Sequence, residues 1–205
     1  LAVEKMRTKI SRDLHDDLGS TLSSISILSG QVKSRLIKQP ETVEPILDKI
    51  NESAIKMNDS LQDLVWAVKP ENDTLQELLV RMEQFASGIL ESKNINYNFT
   101  GPTTVSDIKL NPELIRNIYL IFKEAVNNAA KYSNCANVTI TIKEKGKQLS
   151  LSVIDDGIGF NPETVKRGNG LNNMTKRAAQ IGGSLNIISE PNKQSGIVLE
   201  CKITS

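Results

Sequence analysis

Residues 124–131 read EAVNNAAK, and this stretch decides the fold of the second half of the chain. It lies in a segment, near 111 to 132, whose apolar residues recur with the period of an α-helix. Because residues four apart share a helix face, Glu124 and Asn128 lie side by side, and Lys131 lies one turn further on. Polar residues on a helix face are usually just solvated, so this stretch indicates a site only in combination with others.

Two glycine-containing stretches supply that combination. Residues 155–159 read DDGIG and end a predicted strand, and residues 168–171 read GNGL and open a predicted helix. Glycines after strands are ordinarily turns. Together with the polar helix face, however, they offer what a triphosphate with Mg²⁺ requires: oxygen ligands, a cation, backbone that can approach phosphates, and an acceptor for the adenine amine.

Each residue type has a chemical task in this interpretation. Asn128 offers a neutral carbonyl to Mg²⁺, and Lys131 neutralises phosphate oxygens. Gly168 and Gly170, at a helix start, present backbone N–H groups to an anion. Asp155 accepts from the adenine N6 amine, beside glycines that remove side-chain bulk. The pattern is neither a P-loop, since no GxxxxGK[ST] occurs, nor a dinucleotide fingerprint.

The three motifs resemble the N, G1 and G2 boxes of the ATPase fold shared by histidine kinases, Hsp90, gyrase and MutL proteins. The resemblance covers about residues 75 to 205 and implies a Bergerat-type α/β sandwich that binds ATP. It implies that Glu124 poises a water or orders the metal site and that Asn128 holds Mg²⁺. Further nucleotide contacts are implied for Lys131, Asp155, Gly157, Gly159, Gly168, Gly170 and Leu171.

Two positions depart from the pattern of that family. Tyr132 stands where many kinases have His, which the family tolerates. Ile197 follows Gly196 where a Thr commonly helps to bind adenine, so one nucleotide contact is expected to be missing.

The surrounding sequence predicts an α+β layer. Helical periodicity occurs near 74 to 91, 111 to 132 and 170 to 181. Strands are predicted near 95 to 100, 136 to 142, 149 to 154, 184 to 189 and 196 to 203. Short turns between consecutive strands, such as residues 144–147, predict an antiparallel or mixed sheet with helices on one face.

The first part of the chain predicts a helical hairpin. One long helix is expected from about Val3 to Ile37, with an apolar seam of Leu14, Leu18, Ile25, Leu28 and Val32. A second helix, with Pro45 in its first turn, carries Leu47, Ile50, Ala54, Met57, Leu61, Leu64 and Val68 at three- and four-residue steps. The polar residues 69–73 end it, so the predicted domains are 1–70 and 71–205.

A hairpin alone cannot cover both of its apolar faces. The economical solution is a homodimer in which two hairpins close a four-helix bundle. Packing of the hairpin against the rest of the same chain remains the alternative.

Residues 11–19 of the first predicted helix read SRDLHDDLG and resemble the H box of sensor histidine kinases, in the subclass with an acidic residue after the His. Residues 64–73 also look like the hinge found in part of that subclass. His15 flanks the apolar seam, where an imidazole nitrogen can reach a γ-phosphoryl group. Asp16 is the natural group to hold the Nδ1 proton and act as base, so that Nε2 presents its lone pair.

The resemblance implies the transmitter region of a two-component sensor histidine kinase. ATP would phosphorylate His15, and the phosphoryl group would pass to an aspartate on a response regulator receiver domain. A rival from another class is an ATP-gated dimerisation or chaperone-like module in which His15 is incidental. The subclass uses a Gln four positions after the acidic residue for phosphatase activity, whereas Asp16 is followed by Ser20 at that spacing, which predicts weak phosphatase activity.

Composition limits the remaining classes. Lys plus Arg number 25 and Asp plus Glu number 24, so the net charge of +1 does not favour a nucleic-acid partner. His15 is the only histidine, which excludes metal sites that need two imidazoles, and the two cysteines suit a reducing compartment. Since no segment is apolar enough to span a bilayer and the chain begins without Met, we expect a cytoplasmic region of a longer protein, anchored to a membrane only through regions absent from this chain.

Overall fold

The computed structural model describes residues 19, 21–36, 39, 42–68, 74–105, 109–161 and 169–203. The chain separates into two compact units, Leu1–Lys69 and Pro70–Ser205. The predictions made for His15, Asp16, Ser20 and Gly168 lie outside the described residues, as does the predicted start of the first helix.

The described residues of the first unit form two helices. Helix α1 covers residues 21–35, and α2 is Glu44–Val68, with Pro45 in its first turn as predicted. Between them, the Thr42 N–H donates to the Gln39 carbonyl at 3.0 Å. The less exposed apolar residues recur every three or four positions on both helices, which confirms the helical period: Ile25, Leu28, Val32, Val43, Ile46, Ile50 and Met57.

The apolar residues of α2, together with Val43 directly before it, divide into two adjoining lines instead of one seam. Val43 and Ile46 are buried within the chain, at 7% exposure each. Leu47 and Leu61, which belong to the seam predicted for this helix, are 49% and 41% exposed. Ala54, midway between these two leucines, is also exposed. A single hairpin therefore covers one line and leaves the second open.

In the second unit, the residues that the structure describes form three helices and five strands. The helices are α3 (Leu75–Glu91), α4 (Pro112–Tyr132) and α5 (Asn169–Gln180). The strands are β1 (Asn96–Thr100), β2 (Asn137–Lys145), β3 (Gln148–Asp155), β4 (Ser184–Ser189) and β5 (Ser195–Lys202). Every element predicted for this part of the chain is present, with bounds within a few residues of those expected from the pattern.

The five strands form one mixed sheet in the order β1-β2-β3-β5-β4. Strand β1 pairs with β2 in parallel, and the other neighbours are antiparallel. The turn between β2 and β3 contains Gly146 at φ +62°, a backbone angle that glycine adopts without strain. Helix α3 packs on β1 and α4, while α5 packs on α4 and β4, so the helices form one layer beside the sheet. The predicted mixed sheet with helices on one face is confirmed.

Helix α4 is the centre of the core because its ends are well specified and its apolar residues are continuous. The Asn111 side chain accepts from the Glu113 N–H at 2.8 Å, and Pro112 occupies the first turn, where its missing N–H costs nothing. The buried side chains follow the helical period: Leu114, Ile115, Ile118, Ile121, Phe122, Ala125, Val126 and Ala129. This packing fixes the direction of the polar residues on the same helix.

None of the helices within the described residues is both long enough and apolar enough to cross a membrane.

Candidate active site

A cavity of about 570 Å³ opens in the second unit where α4, the end of β3, the start of α5 and the paired strands β4 and β5 meet. Six residues predicted from the three motifs line it: Glu124, Asn128, Asp155, Gly159, Gly170 and Leu171. The motifs are therefore brought to one place by the fold, although up to 46 residues separate them along the chain.

Helix α4 supplies the polar wall. Glu124 and Asn128 are half-buried and line the cavity one turn apart. Lys131 lies in the last turn of α4, is exposed, and does not line the cavity. Tyr132 follows it at the cavity edge with 73% of its surface exposed. The predicted phosphate contact of Lys131 therefore stays a prediction.

Asp155 is the buried acid of the site. Strand alternation places it on the helix-facing side of β3 with Leu149, Leu151 and Val153, and it is 6% exposed. Its Oδ1 accepts from the Gly157 N–H at 3.0 Å, and its Oδ2 accepts from the Ser195 hydroxyl at 2.8 Å. Since each carboxylate oxygen has two lone pairs, the carboxylate retains acceptor capacity toward the cavity.

The neighbouring Asp156 has a different environment. Its carboxylate accepts from the Ala136 N–H at 2.9 Å, from the Asn137 N–H at 2.8 Å and from the Asn137 side-chain amide at 2.7 Å. These hydrogen bonds, with the Asn137 side chain first, hold the pKa of Asp156 below its ordinary value. Asp156 therefore ties the turn after β3 to the start of β2, while Asp155 faces the cavity.

The loop after Asp156 needs its glycines for close backbone packing. A Cβ on Gly157 would lie 2.2 Å from the carbonyl oxygen of Ser133. Gly159 has φ +57°, and a Cβ there would lie 2.1 Å from the carbonyl oxygen of Glu190. Gly157 does not line the cavity, so its effect on a ligand is exerted through the position of this loop.

The same loop is held from the other side by the turn between β4 and β5. The Phe160 N–H donates to the Ser189 hydroxyl at 2.7 Å, and the Asn192 N–H donates to the Ile158 carbonyl at 2.6 Å. These two bonds fix the backbone that borders the cavity beyond Asp155.

Helix α5 begins against the acid on α4. A Cβ on Gly170 would lie 2.0 Å from Oε1 of Glu124, so any larger residue would displace the carboxylate or the helix. The N-terminal N–H groups of a helix attract anions, so this junction is able to receive a phosphate group. Leu171 and Met174 follow on the same helix and line the apolar part of the cavity.

The apolar part is formed from both layers of the fold. Val153 and Ile197 contribute from the sheet, as does Ile187 from β4. A planar heterocycle suits such a surface because it buries both faces and leaves its polar edge to the acceptor, Asp155. Ile197, the departure noted in the sequence, thus contributes apolar contact instead of a hydroxyl.

Sequence reasoning did not identify Ser195. The signal is the alternation of β5, in which residues 195, 197, 199 and 201 face the helices. Ser195 is the one polar residue in that otherwise apolar set, and a buried hydroxyl needs a hydrogen-bond partner. Its partner is Asp155, which lies directly opposite in the β3–β5 register.

The donor set around the cavity fits magnesium bound together with phosphates. Among the described residues, no group of three His, Cys, Asp or Glu side chains could hold a metal ion. Asn128 and Glu124 offer an amide oxygen and a carboxylate within one helix turn. Mg²⁺ is usually held by one or two protein ligands, with phosphates and waters completing its octahedron, so Glu124 and Asn128 could supply the protein ligands of such an ion.

Two family models match the chain. Residues 113–205 match the histidine kinase-, DNA gyrase B- and HSP90-like ATPases, which defines the class of the second unit. Residues 7–90 match the HisKA_3 histidine kinase family. The chain therefore belongs to the histidine kinases, and it carries the transmitter region of a two-component sensor histidine kinase.

Related proteins agree with this assignment. The chain is 25% identical over 202 residues to the sensor histidine kinase LiaS of Bacillus subtilis, covering 98% of this chain and 54% of LiaS. It is also 25% identical over 209 residues to an uncharacterised sensor-like histidine kinase of Chloroflexus aurantiacus, covering 98% of this chain and 35% of that protein. The chain thus spans about a third to a half of the length of the curated relatives it matches.

Solved structures share the fold. The crystal structure of full-length ShkA in complex with AMPPNP superposes with a TM-score of 0.61 at 17% identity, over 97% of this chain and 46% of that one. This likeness confirms the arrangement of helices followed by a mixed α/β domain.

Proposed function

We propose that this chain uses ATP to phosphorylate His15 and then passes the phosphoryl group to an aspartate on a response regulator receiver domain. The observation that carries the proposal is the cavity, which joins a buried carboxylate, an apolar surface and a helix N-terminus within the ATPase unit. The HisKA_3 match over residues 7–90, which include His15, supports the acceptor. The same match, over a segment a chaperone-like module would not need, disfavours the ATP-gated alternative.

The cavity suits ATP in one orientation. The adenine ring lies on the apolar surface with its N6 amine donating to Asp155. The triphosphate then extends toward Asn128, Glu124 and the first turn of α5, where Gly170 leaves room and N–H groups attract anions. We expect phosphate contacts also from Lys131, at the end of α4, and from Gly168, which lies outside the described residues. Gly159 and Leu171 line the cavity and would border the nucleotide.

The chemical step is an in-line transfer. Nε2 of His15 attacks the γ-phosphorus, forming an N–P bond as the bond to the β,γ-bridging oxygen breaks and ADP leaves. Asp16 holds the Nδ1 proton, which keeps the lone pair on Nε2. When bound, Mg²⁺ neutralises charge on the phosphate oxygens. Glu124, next to Asn128, orders that metal site or a water within it.

The partner of the hairpin is a second copy of the chain. Leu47, Ala54 and Leu61 recur every seven residues on α2 and remain exposed. A seven-residue apolar repeat is the pattern of a helix that packs against other helices in a bundle. We infer a homodimeric four-helix bundle in which these lines meet.

The catalytic proposal is tested by labelling. The chain is incubated with γ-³²P-ATP and Mg²⁺. One half of the labelled protein is then treated with acid and the other half with base, and the remaining label is measured, since phosphohistidine is acid-labile and base-stable. We expect label in the parent, none in His15→Ala, and none in Asn128→Ala, in which the metal oxygen is removed. The loss in Asn128→Ala is accompanied by weaker binding of Mg-ATP, whereas His15→Ala binds Mg-ATP as the parent does.

Labelling that persists in His15→Ala would overturn the histidine kinase proposal. Binding of Mg-ATP without labelling in the parent would favour the ATP-gated alternative. Transfer to a receiver is then measured by adding a cognate receiver domain and following the loss of label from His15.

We also propose that the phosphatase activity of this chain toward a phospho-receiver is weak. Because Asp16 is followed four residues later by Ser20, a hydroxyl replaces the longer amide that would position a hydrolytic water in this subclass. We expect slow dephosphorylation of a cognate phospho-receiver, with little change in Asp16→Ala. Rapid dephosphorylation that disappears in Asp16→Ala would contradict this.

We also propose that the chain works in the cytoplasm as part of a membrane-anchored sensor. ATP and receiver domains are available there, and Cys135 and Cys201 are free thiols. Burial raises the pKa of Cys201 to about 11, so it stays protonated and unreactive. Fractionation of cells that make the intact protein tests the anchor: sedimentation with membranes supports it, and recovery in the soluble fraction excludes it.

A further inference from the structure

The buried contact between Ser195 and Asp155 is the basis of a further inference. Both residues are 6% exposed, and the Ser195 hydroxyl donates to Oδ2 of Asp155 at 2.8 Å. They are direct partners in the antiparallel register of β3 and β5. The serine therefore holds one oxygen of the acid, and the Gly157 N–H holds the other at 3.0 Å.

The position of this hydroxyl distinguishes the chain from the pattern it resembles. The expected hydroxyl after Gly196 is replaced by Ile197, whose partner on β3 is Val153. Ser195 lies two residues earlier on the same face of β5. The chain thus lacks a hydroxyl at position 197 but has one at position 195, where it donates to the acid.

We propose that Ser195 is a positioning residue that fixes the carboxylate of Asp155 and thereby sets the preference of the site for 6-amino purines over 6-oxo purines. This rests on the proposed ATP site. With both oxygens held by donors in the strand and the loop, the carboxylate keeps one orientation, and its remaining lone pairs face the cavity. A 6-amino group donates to it, whereas the carbonyl of a 6-oxo purine places an acceptor against an acceptor.

Removal of the hydroxyl has two consequences. The buried carboxylate loses one of its two donors and rotates away from the orientation that receives the amine. The amine of ATP then makes a poorer hydrogen bond to Asp155, and ATP binds more weakly. A 6-oxo nucleotide does not make this hydrogen bond in the parent, so its affinity does not change. The effect is therefore on selectivity, and not on nucleotide binding in general.

The experiment measures the dissociation constants of Mg-ATP and Mg-ITP by calorimetry for the parent and for Ser195→Ala. We expect ATP binding to weaken about tenfold, the scale of one hydrogen bond to a charged group, and ITP binding to remain unchanged. The preference for ATP over ITP falls by the same factor. Ser152→Ala, which removes a hydroxyl from the opposite face of β3, is the matched control and should keep the preference of the parent.

Two further variants separate positioning from folding. Ser195→Cys keeps the size of the side chain with a weaker donor, so its preference should lie between those of the parent and Ser195→Ala. Ile197→Thr combined with Ser195→Ala restores a hydroxyl on the same face of β5 and should recover part of the preference. An equal loss for ATP and ITP in all the Ser195 variants would show a purely structural role and overturn the inference.

Failure of the proposed function gives a different result. If the parent binds neither nucleotide, the ATP site itself is wrong. If the parent prefers ATP and Ser195→Ala and Ser195→Cys prefer it equally, only the role of Ser195 is wrong.

Discussion

The two units of the chain solve the same problem, the burial of apolar surface, in different ways. In the ATPase unit the helix layer and the sheet cover each other, and side chains such as Phe122, Leu78 and Ile140 have no exposed surface. In the hairpin, exposed apolar residues remain on α2, and Leu47 and Leu61 are the clearest examples. A two-layer α/β domain closes its own core, whereas two helices have too little surface to do so.

The difference separates the two tasks of a histidine kinase. A unit with a closed core can bind nucleotide as a single copy. A unit with an open apolar line needs a partner, so we expect the dimer interface and the proposed phosphoacceptor to lie in the same segment of the chain. We therefore expect a substitution on the exposed line of α2 to affect assembly, and a substitution in the core of the ATPase unit to affect folding.

The largest effect is expected for Leu61→Asp. In the dimer that we propose, Leu61 lies in the apolar interface, so an aspartate there would place an unpaired charge in it. We expect the dimer to be lost, with a monomer mass by light scattering at concentrations at which the parent is a dimer. Ile55→Asp is the matched control, because Ile55 is 54% exposed but lies on a different face of α2, and it should remain dimeric. A dimeric Leu61→Asp would mean that the exposed line is not the interface.

The secondary structure of the ATPase unit was predictable because its signals are local. Asn111 and Pro112 indicate the start of α4, and the alternation of apolar and polar residues indicates which face of β2 and β3 is buried. The strand order β1-β2-β3-β5-β4, with β1 parallel to β2, was not predictable, because it depends on contacts between distant segments. On α2 the pattern gave the period but could not distinguish the line used within a chain from the line left open.

The second effect in size is expected for Phe122→Ala in the closed core. Phe122 has no exposed surface, and its ring lies 6.3 Å from that of Phe85 in an edge-to-face arrangement. Loss of a buried phenylalanine costs about 3–5 kcal/mol through lost burial and the cavity left behind. Urea denaturation followed by circular dichroism should show this loss, while light scattering shows an unchanged dimer. Tyr132→Ala, at a 73% exposed position, should change stability by less than about 0.5 kcal/mol.

The candidate site was partly predictable, for a physical reason that differs between residues. Motif residues such as Asn128 and Asp155 carry their chemistry in their own side chains, so their types and spacing indicated them. Ser195 contacts Asp155 because the two are opposite each other in the strand register, and that register is not visible in one sequence. Lys131 matches the motif, but the end of α4 leaves it outside the cavity lining, which the motif alone could not show.

The smallest effect is a dependence of stability on pH within the closed unit, at Asp156. Hydrogen bonds from Asn137 and Ala136 lower the pKa of this exposed carboxylate in the folded state. A group whose pKa is lowered by folding stabilises the protein above its unfolded pKa, about 3.9 for Asp, and this contribution is lost as the pH falls through the folded value. Asp156→Asn should therefore lower the urea midpoint modestly at pH 7, and the difference from the parent should shrink below pH 4.

Asn137→Ala, which removes the side-chain amide that donates to Asp156, should show the same pH dependence with a smaller amplitude. A difference that stayed constant from pH 7 to pH 3 would mean that Asp156 acts through packing and not through its charge.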